Sequence, residues 1–202
     1  MQQHTVRTLA ALALAAAAVT LAGCTPTAKP APTSSASAGG GSTSKPIATP
    51  TPTPTPTMPP TPVTLTCDQL LTPDQIYAYN PNFTKAPNYT TASSSLERKI
   101  VDWKGVACGW QNETSGDIVQ IAVAQPPADQ LENLKNEAIT AAQPVPTYGT
   151  PPQVEGYFKA GASGQVQIFR GPYWIVAEST TFTEPGDPAP LMQSVLGNLP
   201  AS

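Results

Sequence analysis

Between Asp117 and Gln125 the chain reads DIVQIAVAQ, and Val119, Ile121 and Val123 fall on one face of a period-two pattern, as in a half-buried strand. VACGWQ (Val106–Gln111) precedes it, and the intervening NETSG predicts the turn of an antiparallel hairpin. After Pro126-Pro127 the period changes. Leu131, Leu134, Ala138 and Ala141 recur at helical spacing over 128–142, with Glu132, Lys135 and Asn136 toward water, which predicts an amphipathic helix. Three more strand-like runs follow, VEGYFKA, GQVQIFR and YWIVAEST, separated by the turns Gly161-Ala162-Ser163-Gly164 and Gly171-Pro172. Asp187-Pro188 is placed to cap a last helix over 189–199, with Leu191, Val195 and Leu199 inward. At the other end Thr72 is a good N-cap, Pro73 fits the first helical position and Gln75 closes a capping box, so a short helix is expected over 73–79. Asn82 to Ser95 is polar and weakly patterned, a loop or ragged strand. The order helix, two strands, helix, three strands, helix predicts an α+β fold. An antiparallel sheet of about five strands is packed with helices, and the N-terminal and C-terminal helices flank it.

The first part of the chain has a different character. Arg7 is followed by the alanine-rich run ALALAAAAVTLAG, too short and too weakly apolar for a spanning helix of about 20 residues, so it reads as a cleaved export signal. The site Leu21-Ala22-Gly23-Cys24 resembles the bacterial lipobox, which implies diacylglycerol on the Cys24 sulfur and a mature chain beginning there. Cysteine suits that role because its thiolate is a strong nucleophile. A second acyl chain on the amino group would make the anchor stable rather than marginal. With no twin-arginine pair, export of the unfolded chain by the general secretory route is expected. Residues 25–63 contain eleven prolines and almost no large apolar side chain, and therefore read as a disordered Thr/Pro/Ser-rich tether. Its Thr-Pro alternation favours extended polyproline II at about 3.1 Å per residue. The expected organisation is a signal peptide over 1–23, a tether over 24–63 and one globular α+β domain over 64–202.

Charge and residue inventory narrow the function. From Thr64 onward seven basic residues face 13 acidic ones, a net of −6, so no basic stripe exists for a nucleic acid backbone and nucleic acid is not an expected partner. The one histidine, His4, lies in the segment expected to be removed, which deprives the mature chain of the commonest general base and metal ligand. The acidic residues form no calcium-loop pattern, and no hydrolase motif is present. No catalytic residue, metal ligand or cofactor is expected, and the chain reads as a non-enzyme. A hydrolase working without histidine is the minor alternative, and two buried carboxylates facing one cleft would be its sign.

Two cysteines remain beside Cys24. Cys67 and Cys108 should pair as a disulfide in an oxidising exterior, pinning the N-terminal helix to the first core strand; a redox-active pair is the alternative, although the spacing is unlike CxxC. The aromatic residues Trp103, Trp110, Tyr157, Phe169, Tyr173 and Trp174 concentrate on the expected sheet. They serve either as core or as a concave patch facing a ligand.

The lipobox, the tether, the C-D-x-L-L-T opening at Cys67 to Thr72, the A-C-x-W context of Ala107 to Trp110 and the closing amphipathic helix together resemble actinobacterial lipoproteins of the domain-of-unknown-function 3558 family. A more distant likeness is to envelope lipoproteins with a PsbP-like sandwich. The resemblance spans about Cys67 to Leu199, implies a Cys67–Cys108 disulfide, and brings no catalytic residue with it. The expectation is a lipid-anchored protein on the extracytoplasmic face of the cell membrane whose domain binds a ligand or a protein. The membrane is its partner through the lipid on Cys24. Further candidate partners are an envelope protein, a glycan or a lipid, and a carrier or receptor for a small hydrophobic or glycan-like ligand is the more specific form of that expectation.

Overall fold

A computed structural model of the chain describes residues 58–201. The signal segment, Cys24 and the tether as far as residue 57 lie outside the described residues. The chain joins the fold slightly earlier than expected, because Thr61 bridges to Gln125 and the Val63 N–H donates to the Lys104 carbonyl.

Two short helices come first, α1 (Cys67–Leu70) and α2 (Pro73–Tyr79), and each opens on a capping box: Thr66 with Gln69, and Thr72 with Gln75. In each box the threonine hydroxyl accepts an N–H that the helix leaves unpaired, and the glutamine amide returns the bond to the threonine N–H. There follow β1 (Phe83–Lys85), α3 (Leu96–Asp102), β2 (Val106–Asn112), β3 (Ile118–Ala124), α4 (Ala128–Ala141), β4 (Gln143–Pro144), a 3-10 turn at Pro146–Tyr148, β5 (Glu155–Lys159), β6 (Gly164–Arg170), β7 (Tyr173–Ser179) and α5 (Ala189–Asn198).

The strands form one antiparallel sheet in the order β1-β2-β3-β7-β6-β5-β4. The expected five strands are its middle; the two additional ones are short edges of three and two residues. Both faces are covered, which explains why strands that alternate in sequence are buried on both sides. One face carries Ile121, Val166, Ile168 and Ile175 under α1, α2 and α5. The other carries Ala122, Phe169, Trp174 and Val176 under α3 and α4. Among the described residues no helix is long and apolar enough to cross a membrane.

Three local expectations are corrected. α3 was not anticipated within the chain after Ser95, although Ser95 caps it by accepting the Arg98 N–H. Ala141 of α4 is exposed, so its inward stripe is Leu131, Leu134 and Ala138. Asp187 does not cap α5; its carboxylate accepts from Thr183 and the Glu184 N–H, closing the preceding loop on itself and lying below the usual carboxylate pKa for that reason.

The first face is fastened at both of its ends. Cys67 and Cys108 form a disulfide that joins the start of α1 to β2. Asn198 at the end of α5 donates to the Leu70 carbonyl at 3.1 Å and exchanges amide hydrogen bonds with Gln75. The Arg170 guanidinium reaches from β6 to the Leu196, Leu199 and Pro200 carbonyls, satisfying acceptors that the helix end leaves open.

Candidate functional site

On the second face α3 packs on β2, β3 and β7 and α4 packs on β5, and a groove lies between residues at the start of α3 and residues of α4. Strand register decides what lies there. Gly109, Gln120, Glu178, Gln165 and Lys159 are successive cross-strand partners on β2, β3, β7, β6 and β5, so they form a single row across five strands. The row is polar from Gln120 outward. The next row, Ala107, Ala122, Val176, Gln167 and Tyr157, begins the apolar part of the same face.

The outer part of the polar row floors a groove of about 510 Å³, with Gln165, Gln167, Glu178 and Lys159 from the strands, Ser94 and Ser95 leading into α3, and Glu137 on α4. Glu178 is held rigidly there: its carboxylate accepts from the Ser163 hydroxyl at 2.7 Å and from the Gln165 amide at 2.9 Å. Gln167 is fixed from below, since its carbonyl oxygen accepts the Trp174 indole N–H at 3.1 Å. Its amide nitrogen makes no hydrogen bond among the described residues.

At the inner end the row passes beneath the loop that leads into α3. The Tyr89 side chain packs against Gly109, where a Cβ would stand 2.6 Å from the ring; the close approach calls for glycine. The Tyr89 hydroxyl donates to the Gln120 carbonyl oxygen at 2.8 Å. Burial raises the Tyr89 pKa most, and the charges of Glu97 and Glu178 push the same way.

Glu97 is the residue that pattern reading overlooked. It stands three positions before Ile100, so both project from the same side of α3, and Ile100 is packed on the sheet with Ala122. Glu97 has no exposed surface, and neither of its carboxylate oxygens has a hydrogen-bond partner. Desolvation pushes its pKa up and Glu178 adds to the rise; its own backbone N–H and the Ser95 hydroxyl offset part of it without reaching bonding geometry. The folded-state pKa thus lies above the ordinary 4.5. The group contributes nothing adverse while it is protonated in both states; the penalty on the fold grows as pH rises from the unfolded value toward the raised folded one, and is complete above it. We expect Glu97→Gln and the parent chain to melt nearly together at pH 4 and to separate toward pH 8, the variant melting higher. Parallel melting curves across that range would show that this carboxyl titrates normally.

The aromatic residues are divided between the two faces of the sheet. Trp110 and Tyr173 are buried on the first face. Tyr157, Phe169 and Trp174 are buried on the second, and half-buried Trp103 meets Trp174 edge-on at 5.8 Å. Tyr157 and Phe169 likewise pack edge to face at 6.1 Å. Two of the six reach small clefts: Trp110 lies at the base of one of about 230 Å³ beside Tyr77, and Tyr157 borders one of about 280 Å³ near Pro146. Register and helix placement, not aromatic content, created the larger polar groove. Cys24 lies outside the described residues.

Fold and site together define a disulfide-closed α+β sandwich with helices on both sheet faces and a polar groove between two of them. No family model, no curated protein and no solved structure matches the chain.

Proposed function

We propose that the chain is a lipid-anchored extracytoplasmic binding protein, and that its domain takes a hydroxyl-rich, glycan-like ligand in the groove between α3 and α4. The observation that carries the reading is the floor of that groove. Gln165, Gln167 and Glu178 offer amide and carboxylate groups fixed by their own neighbours, the arrangement that recognises many hydroxyls at small entropic cost. A small hydrophobic ligand fits less well, because the large aromatic side chains are spent on the core. The lipobox at Cys24 and the resemblance to actinobacterial lipoproteins support the anchored location, and the disulfide is in keeping with an oxidising compartment.

Read only as two acids near one cleft, Glu97 and Glu178 suggest a histidine-free hydrolase. Glu97, however, has no surface from which to reach a substrate bond, and a general acid must touch the group it protonates. Binding without catalysis is the better reading.

An array of neutral oligosaccharides, followed by titration of the strongest binder, tests the proposal alongside displacement of a fluorescent fatty acid. Saccharide binding should weaken at least about tenfold in Gln165→Ala, the loss expected from truncating a buried polar contact, with the melting temperature little changed. Intact mass of membrane-extracted protein should show diacylglycerol on Cys24. Fatty-acid binding without saccharide binding, or no binding of either at millimolar concentration, refutes the groove assignment, and an unmodified Cys24 refutes the anchor.

A further inference from the structure

The groove between α3 and α4 does not end at Glu178. A second hollow of about 330 Å³ opens beside it, lined by Asp117, Ile118 and Gln120, by Ser163 from the turn before β6 and by Thr180 after β7. Glu178 lines both hollows, so the two adjoin at its side chain. Strand register gives their spread. Gln167 on β6 pairs with Val176 on β7, which pairs with Ala122 on β3. Ile118 stands on the same strand as Ala122, four residues earlier, and keeps to the same face. From Gln167 to Ile118 the surface therefore runs about 10 Å across two strand spacings and about 13 Å along a strand, more than one sugar ring can cover.

The two hollows are built alike. In the first the Gln167 carbonyl oxygen accepts from the Trp174 indole, and in the second the Gln120 carbonyl oxygen accepts from the Tyr89 hydroxyl. Each glutamine is thus fixed through its oxygen, and its amide nitrogen makes no hydrogen bond among the described residues yet keeps accessible surface. Acceptors complete the second hollow. The Asp117 carboxylate takes the Ser115 and Thr180 hydroxyls at 2.6 and 2.9 Å, which hold it in place, and each of its oxygens retains a lone pair. Amid these polar groups lies Ile118, the one strand residue among the exposed large apolar side chains of the described residues. An apolar side chain ringed by fixed donors and acceptors matches a pyranose, whose C–H face is apolar and whose hydroxyls project from its edge.

We propose that the second hollow is a further sugar subsite, and that the chain binds a linear neutral oligosaccharide lying across Glu178, one end between α3 and α4 and the other over Ile118. The inference rests on the saccharide reading of the groove and adds to it the length and course of the ligand. Glu178 suits the junction, because Ser163 and Gln165 fix its carboxylate and its remaining lone pairs can accept hydroxyls from the rings on either side. A single ring leaves one hollow empty. The second hollow is lined by two carboxylates, Asp117 and Glu178, and by no cationic side chain, so it turns away acidic sugars.

The test uses the full-length chain in detergent and calorimetric titration with a ladder, from one ring to six, of the neutral glucan, mannan or galactan fragment that binds most tightly. Affinity should climb at least about tenfold from the shortest member that binds to the members of three or four rings, and then level off. Ile118→Ala and Gln120→Ala should each weaken the long members by roughly three- to tenfold, the effect of losing one contact, and leave the shortest unchanged. Gln165→Ala should weaken every member. Ile118 is exposed, so its variant should melt with the parent chain and carries the test alone if losing the Tyr89 bond unsettles Gln120→Ala. A uronic acid ladder of matching length should bind more weakly than the neutral one. Affinity that is independent of length, or an Ile118→Ala loss that is absent or equal at every length, overturns the second subsite and leaves the saccharide reading standing. Failure of every saccharide to bind overturns both.

Discussion

Replacing Cys67 and Cys108 together with alanine lowers the unfolding free energy by about 4 kcal/mol, the chain-entropy value for releasing a closed loop of this length. The two cysteines are 41 positions apart, and the segment between them holds α2, β1, the Tyr89 loop and α3. Without the bond that long segment must be ordered by its packing alone. α1 and α2 are short, and helices of one or two turns are not stable on their own. The melting temperature should therefore fall by about 10–20 °C for a domain of this size, and reduction of the parent chain by a thiol reagent should produce the same fall. Matching midpoints for parent, double variant and reduced protein would show that the bond closes nothing the fold does not already close.

Trp174→Ala should cost about 3–5 kcal/mol, the usual range for emptying a buried tryptophan site. The side chain has no exposed surface, meets Trp103 edge-on and donates its N–H to Gln167. Truncation leaves a cavity and also frees the acceptor of a nearly buried glutamine. Trp174→Phe restores part of the volume but not the hydrogen bond, so it should recover more than half of the loss in a denaturant titration. The experiment also separates the two roles that the aromatic content permits. A residue facing a ligand, when truncated, would cost affinity with little stability; here stability should fall first, and groove binding only as Gln167 loses its support.

Much of the architecture could be read from the chain, and the reasons are local. α2 carries its start signal in Thr72, Pro73 and Gln75; α4 and α5 carry apolar stripes; and β2–β3 and β5–β6–β7 are separated by turns rich in glycine, proline or short polar residues. Gly164 shows how literal such a signal can be. It closes the GASG turn because a Cβ there would stand 2.1 Å from the Phe182 carbonyl oxygen. Of the edge strands, β1 falls in the stretch read as a loop or ragged strand, and β4 was not legible, since two residues cannot establish a period. α3 escaped notice for a different reason: its core-facing positions are Ile100 and an acid, and pattern reading assigns Glu97 to water. The aromatic residues were ambiguous because period two says which face a side chain takes, not whether that face is wet. Phe169 and Ile168, or Trp174 and Ile175, point in opposite directions and are all buried. The polar row was beyond reach altogether, since Gly109, Gln120, Glu178, Gln165 and Lys159 meet only through register.

The position of the disulfide has a mechanical consequence. Tension entering at the N-terminal end of the domain and opposed by anything gripped in the groove arrives at Cys67, and the covalent bridge hands it straight to the sheet at Cys108. The segment between the cysteines, with the Tyr89 ring and Glu97 upon it, is thereby bypassed. Stretching would shear strands before it could peel the inner wall of the groove open, so a pull strong enough to fray the entry at Thr61 and Val63 would still leave the groove's walls in place.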